Sequence, residues 1–309
     1  MHTVHGNFFY TLSNKRRLAK YLRVSLKELL TLQDDSNYKV WFEEGENGKL
    51  REIQEPSYKL KSVHSIIQKS LASIVAPEFL FSGVKGKSNI SNASYHKDSN
   101  YIVTADIRSF YINCNKEYIF RFFKYTLHTS DDIARILTEL CCYKTFLPTG
   151  SPVSQILAYH SYARIFNRID AFSKANYITF SLYVDDITLS SEKSIHPYIL
   201  KKISKLLESV NLSLKREKTK FYNKNSYKIV TGCAISPDHI LLRPNKIMRK
   251  INNKLRKHEK DLSKLTSKEI ESVLGQVIYL RSITPNSYSQ LFKSLSLMKA
   301  EERFKQRPL

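Results

Sequence analysis

The chain has 309 residues, 42% of them apolar, and its 50 Lys and Arg against 28 Asp and Glu give a formal net charge of +22. That apolar content can fill the core of one large domain or of two or three subdomains, and so large a cationic excess is the usual footprint of a polyanionic partner, nucleic acid ahead of an anionic membrane surface. The longest stretch without an acidic or basic side chain other than His, residues 145–163, contains Pro148, Gly150, Pro152 and several hydroxyls, which excludes a membrane-spanning helix there.

The N-terminal residues lack an uninterrupted apolar core and a small-residue cleavage site, so a cytoplasmic location without membrane attachment is expected. Residues 12–32 place Leu18, Tyr21, Leu22, Leu26, Leu29 and Leu30 at helical spacing, with a capping box from Ser25 to Glu28, and predict two short helices. Residues 38–44 and 49–55 alternate around Gly45-Glu46-Asn47-Gly48 and predict a hairpin whose second strand carries Lys49 and Arg51. Pro56 closes that strand, and Leu60, Val63, Ile66, Ile67, Leu71 and Ile74 then line one face of a helix over 60–75. Residues 82–99, rich in Gly, Ser, Asn and Lys, read as a loop with phosphate-binding potential.

A short apolar strand beginning at Tyr101 runs straight into Asp106. Residues 116–127 and 131–143 read as helices, the second with Asp131 and Asp132 suited to its N-terminus. The segment LPTGSPVS (147–154) leads into an apolar helix over 156–172, and SLYVDDITLS (181–190) sets Asp185 beside Asp186 in a β-favouring run. A helix over 195–210 follows, then LSLKREKTK (212–220) and a strand over 227–236, YKIVTGCAIS. Residues 241–309 hold sixteen Lys and Arg against six Asp and Glu and predict three helices. The first pairs an apolar stripe of Ile247, Ile251 and Leu255 with Lys250, Lys254 and Lys257, and the second opens at a capping box from Thr266 to Glu269. Cys114, Cys141, Cys142 and Cys233 have neither zinc-ligand nor disulfide spacing and are expected to be reduced core residues.

Two adjacent carboxylates in an apolar run repel and lose hydration, so a positive partner is expected beside them, a divalent cation first. A tight turn carrying Asp-Asp would need no such partner. Asp106 favours the first reading: it ends a second apolar strand 79 positions before Asp185. Three carboxylates at one sheet edge can hold two hard cations about 3.5 to 4 Å apart, the arrangement used for in-line phosphoryl transfer.

These residues resemble a known family. Tyr183-Val184-Asp185-Asp186 is similar to the YxDD signature of reverse transcriptases, and Asp106 with Phe110 and Tyr111 resembles the strand that supplies their third carboxylate. Residues 49–56, KLREIQEP, resemble a KxRxIxxP-like strand of the fingers, and 147–155 resembles LPQGxPxSP, with Thr149 in place of glutamine and Gln155 in place of proline. Residues 212–219 resemble the GLxLNxxKT segment. Asn92-Ala93-Ser94-Tyr95-His96 and Val230-Thr231-Gly232 resemble the NAxxH and VTG elements of retron enzymes, although Asn92 as a cap and Gly232 at a strand bend would account for the same residues.

The resemblance implies an α+β right-hand polymerase with fingers and N-terminal helices (1–100), an antiparallel-sheet palm (101–240) and a basic helical thumb (241–309). It implies RNA-directed DNA synthesis with two Mg2+ ions on Asp106, the backbone carbonyl of Ile107, Asp185 and Asp186. Tyr111 would stack under the deoxyribose, Lys49 and Arg51 would hold the triphosphate of the dNTP, Gly150 would let the backbone approach the nucleotide, and Lys218 would stand near the leaving pyrophosphate. RNA recognition would fall to Asn92, Ala93, His96, Val230, Thr231 and Gly232, with Lys250, Lys254 and Lys257 of the tail. The retron type implies a structured noncoding RNA as template and primer, a branched RNA-DNA product (msDNA) begun on an RNA 2′-hydroxyl, and anti-phage defence with an effector protein as a candidate partner. A group II intron-like reverse transcriptase and a non-catalytic RNA-binding scaffold remain as alternatives.

Overall fold

The structure, a computed structural model, describes residues 3–45, 48 and 50–305. The described residues pack as two compact units, the first within 1–88 and 101–221, the second within 89–100 and 222–309. One edge between these units falls at 100/101, the boundary drawn from the sequence motifs, and the others fall at 88/89 and 221/222.

The first unit opens with helices α1 (Lys15–Leu22) and α2 (Leu26–Thr31), and α2 carries the expected capping box between Ser25 and Glu28. The hairpin follows, β1 (Tyr38–Glu44) pairing antiparallel with β2 (Leu50–Pro56), then α3 (Tyr58–Leu71). In the second unit, α4 (Asn89–His96) occupies half of the segment expected to be a loop. Composition hides this helix: Asn92, Ala93 and His96 lie on one helical face and all three are buried, so tertiary packing overrides the weak helix preference of Asn and His.

The sheet of the first unit runs β4-β5-β3-β6, from β3 (Tyr101–Asp106), β4 (Thr179–Tyr183), β5 (Asp186–Ser191) and the short β6 (Lys220–Tyr222). Helices α5 (Phe110–Asn113), α6 (Lys116–Arg121) and α7 (Asp131–Cys141) separate β3 from the long α8 (Ser154–Ala175). Leu157, Phe166 and Ile169 of α8 are buried with Phe180, Leu182, Ile187 and Leu189 of β4 and β5, and α9 (Pro197–Glu208) adds Ile203 and Leu207 to the same core. Burying side chains of this size contributes about 1.5–3 kcal/mol each, which is what holds the sheet edge in place. Cys114, Cys141 and Cys142 are free and buried in this unit, as expected.

The strand expected over 227–236 is instead a tight hairpin in the second unit, β7 (Lys228–Val230) against β8 (Cys233–Ile235), with Val230 opposite Cys233. Thr231 and Gly232 have φ of 44° and 81°, the doubly left-handed backbone of a two-residue hairpin turn. The short β9 (Leu241–Leu242) extends this sheet beside β8. Three helices follow, α10 (Asn245–Lys257), α11 (Ser267–Ile283) and α12 (Ser289–Lys305), around a core of Ile251, Val273, Val277, Leu280 and Leu295. Thr266 and Glu269 form the expected capping box. Among the described residues no helix is long and apolar enough to cross a membrane.

One buried histidine ties three segments of the first unit together. His64 of α3 donates through Nε2 to the Leu140 carbonyl at 2.6 Å and accepts the Ser151 hydroxyl at Nδ1, 2.7 Å away, so one neutral tautomer satisfies both partners. Burial lowers its pKa to about 4 from 6.5. The unfolded chain takes up that proton near pH 6.5 and the folded one near 4, so the stabilisation is complete above 6.5 and is lost as pH falls through 4. Across this window the unfolding free energy carries a slope of about 1.4 kcal/mol per pH unit from this one group. Urea unfolding between pH 6.5 and 4 is expected to show a shallower slope in His64→Gln than in the wild-type protein, and equal slopes would contradict the assignment.

Candidate active site

The two acid-bearing strands meet in register. β3 and β5 are antiparallel with Asp106 opposite Asp186, and Asp185 occupies the turn between β4 and β5. Ile107 donates its amide to the Asp185 carbonyl at 2.9 Å, which ties the turn to the end of β3. The turn itself is strained: Val184, a β-branched residue, has φ of 57°. Its neighbours fix it. Ser82 Oγ accepts from the Val184 amide at 2.9 Å, Leu182 donates to the Phe79 carbonyl at 2.9 Å, and Phe81 donates to the Leu182 carbonyl at 3.0 Å.

The electrostatics follow from this convergence. Burial, then the Asp106 charge, raises the Asp185 pKa; burial, then Asp185 and Asp106, pushes Asp186 up to about 6. The positive partners in the structure are two lysines. Lys215 Nζ lies 2.5 Å from Asp106 Oδ1, and Lys218 Nζ donates to Asp106 Oδ2 at 2.8 Å. That hydrogen bond raises the Lys218 pKa. Lys218, expected near a leaving pyrophosphate, therefore sits on the carboxylate itself. Lys215, which the motif reading passed over, is set by a strand-like bridge between Ile107 and Leu214 that leaves its amide donating to the Asp106 carbonyl at 2.8 Å.

Among the described residues no three His, Cys, Asp or Glu side chains are gathered tightly enough to hold a metal ion by themselves. The cage expected from Asp106, Ile107, Asp185 and Asp186 is thus not closed; mutual repulsion among three carboxylates is relieved here by ammonium groups instead. The donor set still suits a hard divalent cation: its ligands are carboxylate and carbonyl oxygens, and the Asp106 carboxylate is buried at the sheet edge.

Tyr111 lies beyond β3 in α5, partly buried and stacked on Phe110, its hydroxyl pKa raised by burial and then by the Asp185 charge. Arg51 is exposed on β2 opposite Glu43, and Lys49 lies outside the described residues. At Gly150 a Cβ would stand 2.6 Å from the Gln54 carbonyl oxygen, so the glycine is needed for close approach to β2. Its amide donates to that carbonyl at 3.1 Å, while Thr149 donates through its amide to Gln54 Oε1 at 3.0 Å and through its hydroxyl to the Glu52 carbonyl at 3.1 Å. The departure from glutamine at 149 thus builds part of the joint to the hairpin. Gly150→Ala is expected to cost about 1–3 kcal/mol of stability through this overlap, read from the urea midpoint; an unchanged midpoint would contradict the joint.

The second unit brings the two short retron-like elements together. Asn89 Nδ2 donates to the Thr231 carbonyl at 3.2 Å and to the Tyr279 hydroxyl at 2.9 Å, and Thr231 Oγ1 donates back to the Asn89 carbonyl at 3.0 Å. Asn92 Nδ2 reaches Thr231 Oγ1 at 3.5 Å. Asn92, Ala93, His96 and Val230, expected to touch RNA, are all buried, and Asn92 turns toward Thr231 of the turn, of which Gly232 is exposed and Thr231 partly so. Asn89, outside the quoted motif, is the residue that sequence reasoning missed. On α10, Lys250 and Lys257 are exposed, whereas Lys254 turns to Ser272 of α11 at 2.8 Å.

Residues 42–235 match the family described as reverse transcriptase (RNA-dependent DNA polymerase). The chain belongs to that family. Within it, its relatives include retron enzymes: the chain is 27% identical to the retron Ec86 reverse transcriptase of Escherichia coli over 96% of its own length and 92% of that protein's. It is 31% identical to the retron Se72 reverse transcriptase of Salmonella heidelberg over 57% of its length, spanning about half, 48%, of that relative. A telomerase of Candida albicans, solved in complex with a telomeric RNA fragment, is similar in fold at 11% identity and a TM-score of 0.50, over 84% of this chain and 56% of that one.

Proposed function

We propose that the protein is an RNA-directed DNA polymerase of the retron type, which copies a cognate structured noncoding RNA into single-stranded DNA from an RNA 2′-hydroxyl and so makes a branched RNA-DNA, in anti-phage defence. The observation that carries the polymerase reading is the register of Asp106 against Asp186 with Asp185 in the adjoining turn. The retron reading is supported by the relatives and by the joining of the NAxxH and VTG elements through Asn89, Asn92 and Thr231. In this reading residues 1–100 supply the fingers, 101–240 the palm and 241–309 the thumb.

Asp106, the Ile107 carbonyl, Asp185 and Asp186 would hold two Mg2+ ions, which when bound lower the pKa of the attacking hydroxyl and stabilise charge on the α-phosphate. The remaining work belongs to side chains of the chain itself. Tyr111, beside Asp185, would form the floor under the sugar and exclude a ribonucleotide 2′-hydroxyl. Arg51 and Lys49 would hold the triphosphate of the incoming dNTP by charge-assisted hydrogen bonds. Lys218, free to leave Asp106, would donate a proton or a hydrogen bond to the departing pyrophosphate. The exposed Lys250 and Lys257 would meet phosphates of the template duplex, and Gly232 and Thr231 would present the turn to the noncoding RNA.

Asp185→Asn is expected to lower dNTP incorporation on a primed RNA template by at least about a thousandfold, while RNA retention on a filter stays within about twofold of wild type. Incorporation retained at wild-type rate would sink the assignment. Wild-type protein that binds RNA in a salt-dependent way yet incorporates no nucleotide would instead favour the scaffold.

A further inference from the structure

Both oxygens of the Asp106 carboxylate carry an ammonium, but the two lysines are not equivalent. The Lys215 side chain is 21% exposed and that of Lys218 58%. Lys215 also has its backbone fixed opposite Asp106 by the amide-to-carbonyl bond at 2.8 Å and by the Ile107–Leu214 bridge. Lys218 stands three residues on, at the end of the single 3-10 turn Arg216–Lys218. Asp106 is buried, and the Lys215 ammonium 2.5 Å from Oδ1 compensates the charge on that oxygen. The Asp185 and Asp186 carboxylates add two further negative charges to the same sheet edge.

We propose that Lys215 is an internal counter-ion that holds the place of a divalent cation on Asp106, and that its displacement sets the cation concentration at which the site loads. The inference rests on the reading of the three carboxylates as a cation site and adds to it a residue that opposes loading. An ammonium and a divalent ion on the same carboxylate oxygen repel, and at about 5 Å in a water-like dielectric that repulsion corresponds to roughly a tenfold change in affinity. Without the ion, the ammonium relieves the repulsion among the carboxylates and keeps the empty edge folded. Lys218, more exposed, leaves at lower cost and remains available to the substrate.

The test is direct Mn2+ binding to the full chain, without nucleic acid or nucleotide, read from the electron paramagnetic resonance signal of the free ion. Wild-type protein is expected to bind Mn2+ at a site lost in Asp106→Asn. Lys215→Gln and Lys215→Met, which remove the charge and keep the side-chain stem, are expected to half-saturate at about tenfold lower Mn2+, whereas Lys215→Arg stays within about twofold of wild type. The neutral variants are also expected to melt at a lower temperature than wild type in EDTA and to gain more on adding Mn2+. Neutral variants that fold, by circular dichroism, and bind Mn2+ no more tightly than wild type would overturn the role of Lys215. A wild-type protein that binds Mn2+ no better than Asp106→Asn would overturn the cation-site reading, and this inference with it.

Discussion

Like-charge repulsion among Asp106, Asp185 and Asp186 is the constraint on which the first unit turns. Burial and the neighbouring carboxylates raise the pKa of Asp185 and Asp186, and a chain that places three carboxylates there must supply both rigidity and opposite charge. Rigidity comes from the core beneath β3, β4 and β5, and from residues 79–82, whose hydrogen bonds hold the left-handed Val184 turn. Opposite charge comes from Lys215 and Lys218, delivered by the segment that follows α9. Strain and charge are concentrated where chemistry is expected, and the surrounding structure offsets both.

The same economy explains the loop before α8. Gly150 has no side chain because the Gln54 backbone fills that space, and Thr149 spends both its donors on β2. His64 then fixes the following Ser151 to α3 and to the end of α7. The joint thus fixes β2, the strand that carries Arg51, to the loop that opens α8. In the second unit, a polar contact set of Asn89, Asn92, Thr231 and Tyr279 fixes one exposed turn.

Much of this was legible in the sequence. The apolar, β-favouring runs ending in Asp106 and flanking Asp185-Asp186, the capping boxes at Ser25 and Thr266, and the three helices of the tail all follow from local patterning, which the structure keeps. What was not legible depends on partners distant in sequence. Helix α4 has the composition of a loop and is a helix because its Asn and His side chains are buried. The Thr231-Gly232 turn reverses a run that reads as one strand, since two positive φ values cannot be inferred from a single glycine. Lys215 and Gln54 act through residues about a hundred positions away, and nothing in their own neighbourhoods distinguishes them from a solvated lysine or an ordinary strand residue.

The proposed retron-type function requires that this reverse transcriptase make DNA joined to its own RNA. The most direct measurement is to purify the protein from cells carrying its native flanking sequence, extract the bound nucleic acid, and compare its mobility before and after ribonuclease and debranching treatment. The account predicts a short, discrete DNA whose mobility changes when the RNA or the branch is removed. Heterogeneous RNA alone, with no covalently attached DNA, would contradict it.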